Sequence, residues 1–289
     1  MNHEHKKDDI AGGQALIEGV MMRHGDKIAA AVRKPDGEIV FRERHHVPLT
    51  KRYKLLGLIV VRGFVTLFEM MFIGMKNLLF SSEVALTENE EKPSVWQLAL
   101  AMVISMGTAL FFFIIVPAYC FSLLKGMIVN TFVLNIVEGC IRMGLFFIFL
   151  GMTLLMDDMK RVFMYHGAEH KTVFAWEEGE ELTIENVRSY STRHPRCGTS
   201  FILIVMIVSI MVFSLLGRPD FLHRVLYKLT LLPLVSGISY EIIRFTGRHK
   251  DWRWVQILSW PGLQFQGITT REPTDDQLEV AIAAMEKVI

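Results

Sequence analysis

Residues 95–120 read VWQLALAMVISMGTALFFFIIVPAYC, and no charged side chain occurs anywhere from residue 94 to residue 124. A helix needs about 20 predominantly apolar residues to cross the hydrocarbon layer of a bilayer, so this run is read as a transmembrane helix. Pro117 near its far end signals a kink or an exit.

Other segments share that character. Residues 134–156 are apolar except for Glu138 and Arg142, which stand four apart on one helix face and neutralise each other there. Residues 200–217, SFILIVMIVSIMVFSLLG, carry no charge and approach the lower length limit for a span before Gly217, Arg218 and Pro219 stop them. Residues 225–245 have an apolar middle, with Lys228 at one end and Glu241 and Arg244 at the other, where long side chains snorkel. Residues 55–80 are mostly apolar but place Arg62, Glu69 and Lys76 at intervals of seven, so the charges follow one stripe. That segment is expected to be an amphipathic helix that lies on the membrane surface, re-enters it, or packs on the bundle.

Composition agrees. Of 289 residues, 51% are apolar and 21% charged, and the mean hydropathy of +0.33 is high for a soluble chain. With 31 Lys and Arg against 30 Asp and Glu, the net charge of +1 excludes a globally basic nucleic-acid binder. The three cysteines, Cys120, Cys140 and Cys197, form no CxxC pair, and a disulfide framework is excluded. The polar start MNHEHKKDDIAGG has neither the apolar core of a secretory signal nor a lipidation motif.

Lys and Arg set the orientation, because cytosolic segments retain them. Residues 1–57 carry eleven, 157–199 six and 246–289 five, whereas 125–131 carry one and 218–224 two. Both termini and the 157–199 loop are therefore expected in the cytosol, and four spans satisfy that parity. The expected fold is a polytopic α-helical membrane protein with about four transmembrane helices and an interfacial amphipathic helix. Its parts are a β-rich cytosolic region (1–54), the interfacial or re-entrant helix (55–80), a four-helix membrane region (94–245) with the 157–199 loop, and a cytosolic tail and helix (246–289).

Within the soluble parts, residues 28–33 and 38–47 flank Lys34-Pro35-Asp36-Gly37, a turn signature that predicts a β-hairpin. The glycine-rich GGQALIEGVMMR (12–23) lacks the spacing of a nucleotide-binding fingerprint and reads as tight strand packing in preference to a phosphate cradle. Thr274-Asp275-Asp276-Gln277 is a capping box that opens a terminal amphipathic helix.

His166-Gly167-Ala168-Glu169-His170 carries the chemistry. Two histidines four apart project from one helix face and can share a metal, and the Glu beside the second lies close enough to act as general base on water. The order H-x-x-E-H is that of the inverted zinc peptidases. A third protein ligand is needed, and Glu241, His194 and Cys197 all fall toward the same membrane face; a helical Glu as distal ligand ranks Glu241 first, with His194 and Cys197 as alternates or substrate-handling groups.

The segments GGQALIEGVMMR, YHGAEHK, RHPRCGTSF, SYEIIRF, WPGLQFQGITTREP and QLEVAIAAMEKV together resemble the YqhQ family of bacterial membrane proteins, described as predicted metal-dependent enzymes. The similarity runs nearly from Gly12 to the C-terminus, and it implies a bacterial cytoplasmic membrane protein with His166, Glu169, His170, His194, Cys197 and Glu241 as its functional set. The function expected from the residues is a cytosol-facing metal-dependent hydrolase. His166, His170 and Glu241 would hold a divalent metal, zinc first among them, and Glu169 would be the base; the substrate and oligomeric state are left open. The alternative is a non-enzymatic scaffold or adaptor that binds a protein partner through its cytosolic regions.

Overall fold

The computed structural model of the chain describes residues 11–87, 94–195, 197–249 and 252–289; residues 1–10 of the expected 1–54 region lie outside them. The turn at residues 34–37 closes as its sequence requires: the Gly37 N–H donates to the Lys34 carbonyl at 3.0 Å, and Gly37 takes φ +94°. It joins two strands of a sheet larger than a single hairpin. β1 (Ala11–Leu16), β2 (Gly19–His24), β3 (Lys27–Arg33) and β4 (Ile39–His45) follow one another antiparallel, and the glycine-rich stretch supplies the first two.

Alternation along these strands gives the sheet two apolar faces. Leu16, Met21, Ile28, Ala30 and Val32 form one, and Ala11, Val20, Met22, Ala29 and Ala31 belong to the other. After the single turns α1 (Leu49–Arg52) and a 3-10 helix (Lys54–Gly57), α2 (Val61–Val84) covers the first face with Met70, Ile73, Phe80 and Val84. Glu69, at the middle of the expected charged stripe, is buried against the head: it accepts from His46 Nε2 at 2.7 Å and from the Leu49 N–H at 2.9 Å. Phe68, Met71 and Phe72 remain exposed on α2. Its first turn crosses a later helix so closely that a Cβ on Gly63 would meet Tyr240 Cβ and the Gly237 backbone.

The apolar run forms α3 (Val95–Leu110), a π-helical turn (Phe111–Ile115) and α4 (Val116–Leu124). Pro117 lacks an N–H, so it removes a rung of the helical ladder, and the widened turn lies immediately before it. There follow α5 (Thr131–Thr153), α6 (Asp157–Glu177), α7 (Ile184–Arg188), α8 (Gly198–Ser214), α9 (Phe221–Arg248), α10 (Arg253–Thr269) and α11 (Asp275–Glu286). Among the described residues, four helices are long and apolar enough, by length and composition, to cross a membrane: Val61–Val84, Trp96–Leu124, Thr131–Thr153 and Phe221–Arg248. The expected span at 200–217 is a shorter helix of 17 residues, because Cys197 caps its start and Gly217, at φ +67°, stands beyond its end.

Two expectations change. Lys228 does not snorkel; it is buried at 1% exposure and binds Glu138, as does Arg224. The tail after residue 246 holds a helix that the sequence reading did not separate, α10, which exposes Trp254, Ile257, Leu258 and Trp260 and rests Gly262 on Ser200 of α8. The capping box opens α11 as read, with the Thr274 N–H donating to Gln277 Oε1 at 3.0 Å.

On the second sheet face, Tyr165 and Ala168 of α6 and Leu278, Ala281 and Met285 of α11 complete the core. The amino-terminal sheet, the 157–199 segment and the carboxyl-terminal helix thus form one packed head, with α2 on its opposite face.

Candidate metal centre

His166, Glu169 and His170 occupy positions i, i+3 and i+4 of α6 and share one helix face. The rings of the two histidines lie 4.4 Å apart between centroids. Each ring is held through Nδ1 by a main-chain carbonyl: His166 donates to Thr269 O at 2.9 Å and His170 to Thr192 O at 2.5 Å. A carbonyl only accepts, so Nδ1 carries the proton and each Nε2 of the neutral ring keeps its lone pair. This is how metal-binding imidazoles are commonly oriented from behind.

The two Nε2 atoms face Cys197. Its Sγ lies 3.2 Å from His166 Nε2, and one donor atom from each of His166, His170 and Cys197 falls within 4.8 Å of the others. Cys197 caps α8, and its sulfur takes the Thr199 N–H at 3.4 Å. His170 Nε2 is buried and makes no hydrogen bond among the described residues. Glu169 adds an oxygen beside both rings, with Oε2 at 3.9 Å from His166 Nε2 and 3.6 Å from His170 Nε2.

Burial sets the electrostatics. It pushes the Glu169 carboxyl above the usual range, against the pull of His166, His194 and the Gly13 N–H. It pushes His170 down, against the pull of Cys197, which keeps the imidazole neutral and available as a ligand. Two imidazole nitrogens and one sulfur suit zinc in donor type, and the orphaned His170 Nε2 is an observation in favour of that fit.

The other candidates fall differently. His194 stands behind the cluster, its ring 5.8 Å from that of His170 and its Nε2 3.5 Å from Glu177 Oε1. Its main chain is clamped by the fully buried Gln266, which takes the His194 N–H at 2.7 Å and donates to the His194 carbonyl at 2.7 Å. Glu241 does not join the group. On α9, both its oxygens are taken by Arg62 of α2, at 2.6 Å and 2.5 Å, and Cys197 supplies the third donor instead. The sequence ranked Glu241 first because a helical Glu fits the distal-ligand pattern; Arg62, 179 residues away, takes it instead.

Two glycines explain motifs that the pattern left open. A Cβ on Gly167 would overlap the Arg271 carbonyl, so this glycine inside a helix lets the chain after α10 cross α6 and brings Thr269 O to His166. A Cβ on Gly13 would stand 2.8 Å from Glu169 Cγ, so the first strand gives the carboxylate its space. Thr192, Thr269 and Gln266 were missed: the first two act through carbonyls, which any residue supplies, and only the polar Gln266 in an apolar run carried a signal.

Fold and donors together define a polytopic helical membrane protein whose packed head holds a buried His–His–Cys cluster. The model of a family described as "Protein of unknown function (DUF1385)" matches residues 58–289. A relative named "Uncharacterized protein YqhQ" from Bacillus subtilis (strain 168) is 34% identical over 304 residues, covering 99% of this chain and 94% of its own length. The chain belongs to this family. No solved structure matches it.

Proposed function

We propose that the protein is a metal-dependent hydrolase of the bacterial cytoplasmic membrane, with its head and both termini in the cytosol. The observation that carries the reading is the convergence of two backbone-oriented Nε2 atoms and the Cys197 sulfur beside a buried carboxyl oxygen. His166, His170 and Cys197 would hold a divalent metal, zinc by the chemistry of the donors. When bound, the metal supplies Lewis acidity for attack on a carbonyl or phosphoryl group.

The chain's own residues do the rest. Thr269 and Thr192 fix the imidazoles through Nδ1. Glu169 Oε2 takes a proton from water and returns it to the leaving group; the burial that raises its carboxyl makes it a better base than an exposed carboxylate. The sheet, α6 and α11 enclose it, which strengthens every charge interaction there. The surplus of Lys and Arg in the three head segments supports a cytosolic head, and the packing of those segments into one body agrees with their sharing a side.

The test compares cells that carry wild-type protein, Glu169→Gln and a deletion, by profiling membrane lipids and small metabolites, with the metal content of each purified protein measured alongside. The reading predicts that Glu169→Gln keeps its metal and reproduces the deletion profile. A Glu169→Gln strain identical to wild type would contradict the enzyme and favour the scaffold; loss of metal would make Glu169 a ligand instead.

A further inference from the structure

The membrane helices hold a second concentration of charge, far from the head. Glu138 of α5 and Arg224 and Lys228 of α9 are each at most 2% exposed, and Arg142 lies one turn further along α5. At 1.5 Å per residue, Glu138 is about 10 Å and Arg142 about 16 Å along α5 from Thr131, so the group sits at hydrocarbon depth. Glu138 Oε2 takes Arg224, which also reaches Asn135, and Glu138 Oε1 takes Lys228. Arg142 is left 3.8 Å from the same carboxylate and donates to Ser209 Oγ at 2.7 Å.

The charges do not balance. Three cations face one carboxylate among the described residues, and the surplus persists even with Lys228 neutral, because guanidinium groups keep their proton in proteins. Phe121 covers Arg224 at 3.3 Å from its ring centroid, and Phe213 lies 5.1 Å from Arg142, but an aromatic ring does not neutralise a cation. Two guanidinium nitrogens, Arg224 Nη1 and Arg142 Nε, are buried with no hydrogen-bond partner among the described residues. Uncompensated positive charge is costly at this depth.

The surplus borders a cavity of about 320 Å³, near the small end of ligand pockets. Arg142, Ser209 and Lys228 line it, and the remainder of its wall is apolar, including Phe113 from the π-helical turn. Such turns recur at functional positions. A mostly apolar space with two basic side chains on its wall matches a molecule that carries a negative group on a hydrocarbon tail.

We propose that this cavity binds an anionic amphiphile of the membrane, its negative group against Arg142 and Lys228 and its tail along the apolar wall. The anion supplies the charge that Glu138 alone does not, and it offers an acceptor to Arg142, whose Nε is left open in the bundle. The site is separate from the metal centre and does not depend on it.

The experiment titrates detergent-purified full-length protein with phosphatidylglycerol, phosphatidylcholine or inorganic phosphate, and follows thermal unfolding and bound mass by native mass spectrometry. Phosphatidylglycerol is expected to raise the unfolding midpoint saturably and to appear as a bound species, while phosphatidylcholine and phosphate do neither. Arg142→Gln is expected to weaken the response at least tenfold. Ala109→Trp, on the exposed helix that walls the cavity, fills the space while leaving every charge in place, and abolishes the response. Equal stabilisation by phosphatidylcholine, a response to free phosphate as large as that to the lipid, or a wild-type response from Ala109→Trp would overturn the proposal.

Discussion

Gly13 and Glu169 meet where the first strand crosses α6: the Gly13 N–H pulls the Glu169 carboxyl down against the burial that raises it, and a Cβ on Gly13 would stand 2.8 Å from Glu169 Cγ and 2.5 Å from the Met21 carbonyl oxygen. Gly13→Ala is therefore expected to push the carboxylate off the two histidines without removing a metal donor. Metal content should stay at the wild-type level while the Glu169-dependent profile is lost, and overpacking should cost about 1–3 kcal/mol of stability. Elemental analysis and thermal unfolding of the purified variant check both.

Gly167→Ala strikes a main-chain atom, the Arg271 carbonyl, which cannot step aside as a side-chain tip would. The expected result is separation of the residues after α10 from α6, loss of the Thr269–His166 hydrogen bond and a fall in thermal stability. Proteolysis near residues 269–274, measured by mass spectrometry, should rise in this variant and not in wild type.

Glu241→Gln separates the sequence-based ligand set from the structural one. Arg62 takes both carboxylate oxygens, so the substitution is expected to lower stability on the order of 1 kcal/mol, as for a partly exposed ion pair, and to leave metal content unchanged. A drop in metal on inductively coupled plasma analysis would restore Glu241 as a ligand.

Orientation is checked by single cysteines. In a background with the three native cysteines replaced, Cys introduced at Lys287 is expected to be labelled by a membrane-impermeant maleimide only after the cells are opened. Cys introduced at Met127, between α4 and α5, should be labelled in intact cells. The reverse pattern would invert the topology.

Much of this architecture was legible in the sequence, and the parts that were not share a cause. The uncharged run of 94–124, the Lys34–Gly37 turn and the capping box at Thr274 are local signals, and each formed as read. The i, i+4 spacing of His166 and His170 was likewise local, and helix geometry alone puts their rings side by side. What failed was pairing across distance. Glu138 does pair with Arg142, four residues away, at 3.8 Å, but its nearer partners Arg224 and Lys228 reach it across 86 and 90 residues and were not foreseen. Glu241 was assigned to the metal because its true partner, Arg62, belongs to another helix. The helix α10 escaped notice because Pro261 interrupts its middle and its apolar face reads as a scatter of tryptophans in a tail.

The central claim is that His166, His170 and Cys197 form a metal site, and it is tested most directly by the metal content of full-length protein purified in detergent without chelator. The account predicts about one equivalent of zinc or another divalent transition metal per chain, lost in His170→Ala and in Cys197→Ser while both variants elute as folded protein, and retained in Glu241→Gln. Metal-free wild-type protein that takes up no metal on addition, or variants at His170 and Cys197 that hold as much as wild type, would contradict it.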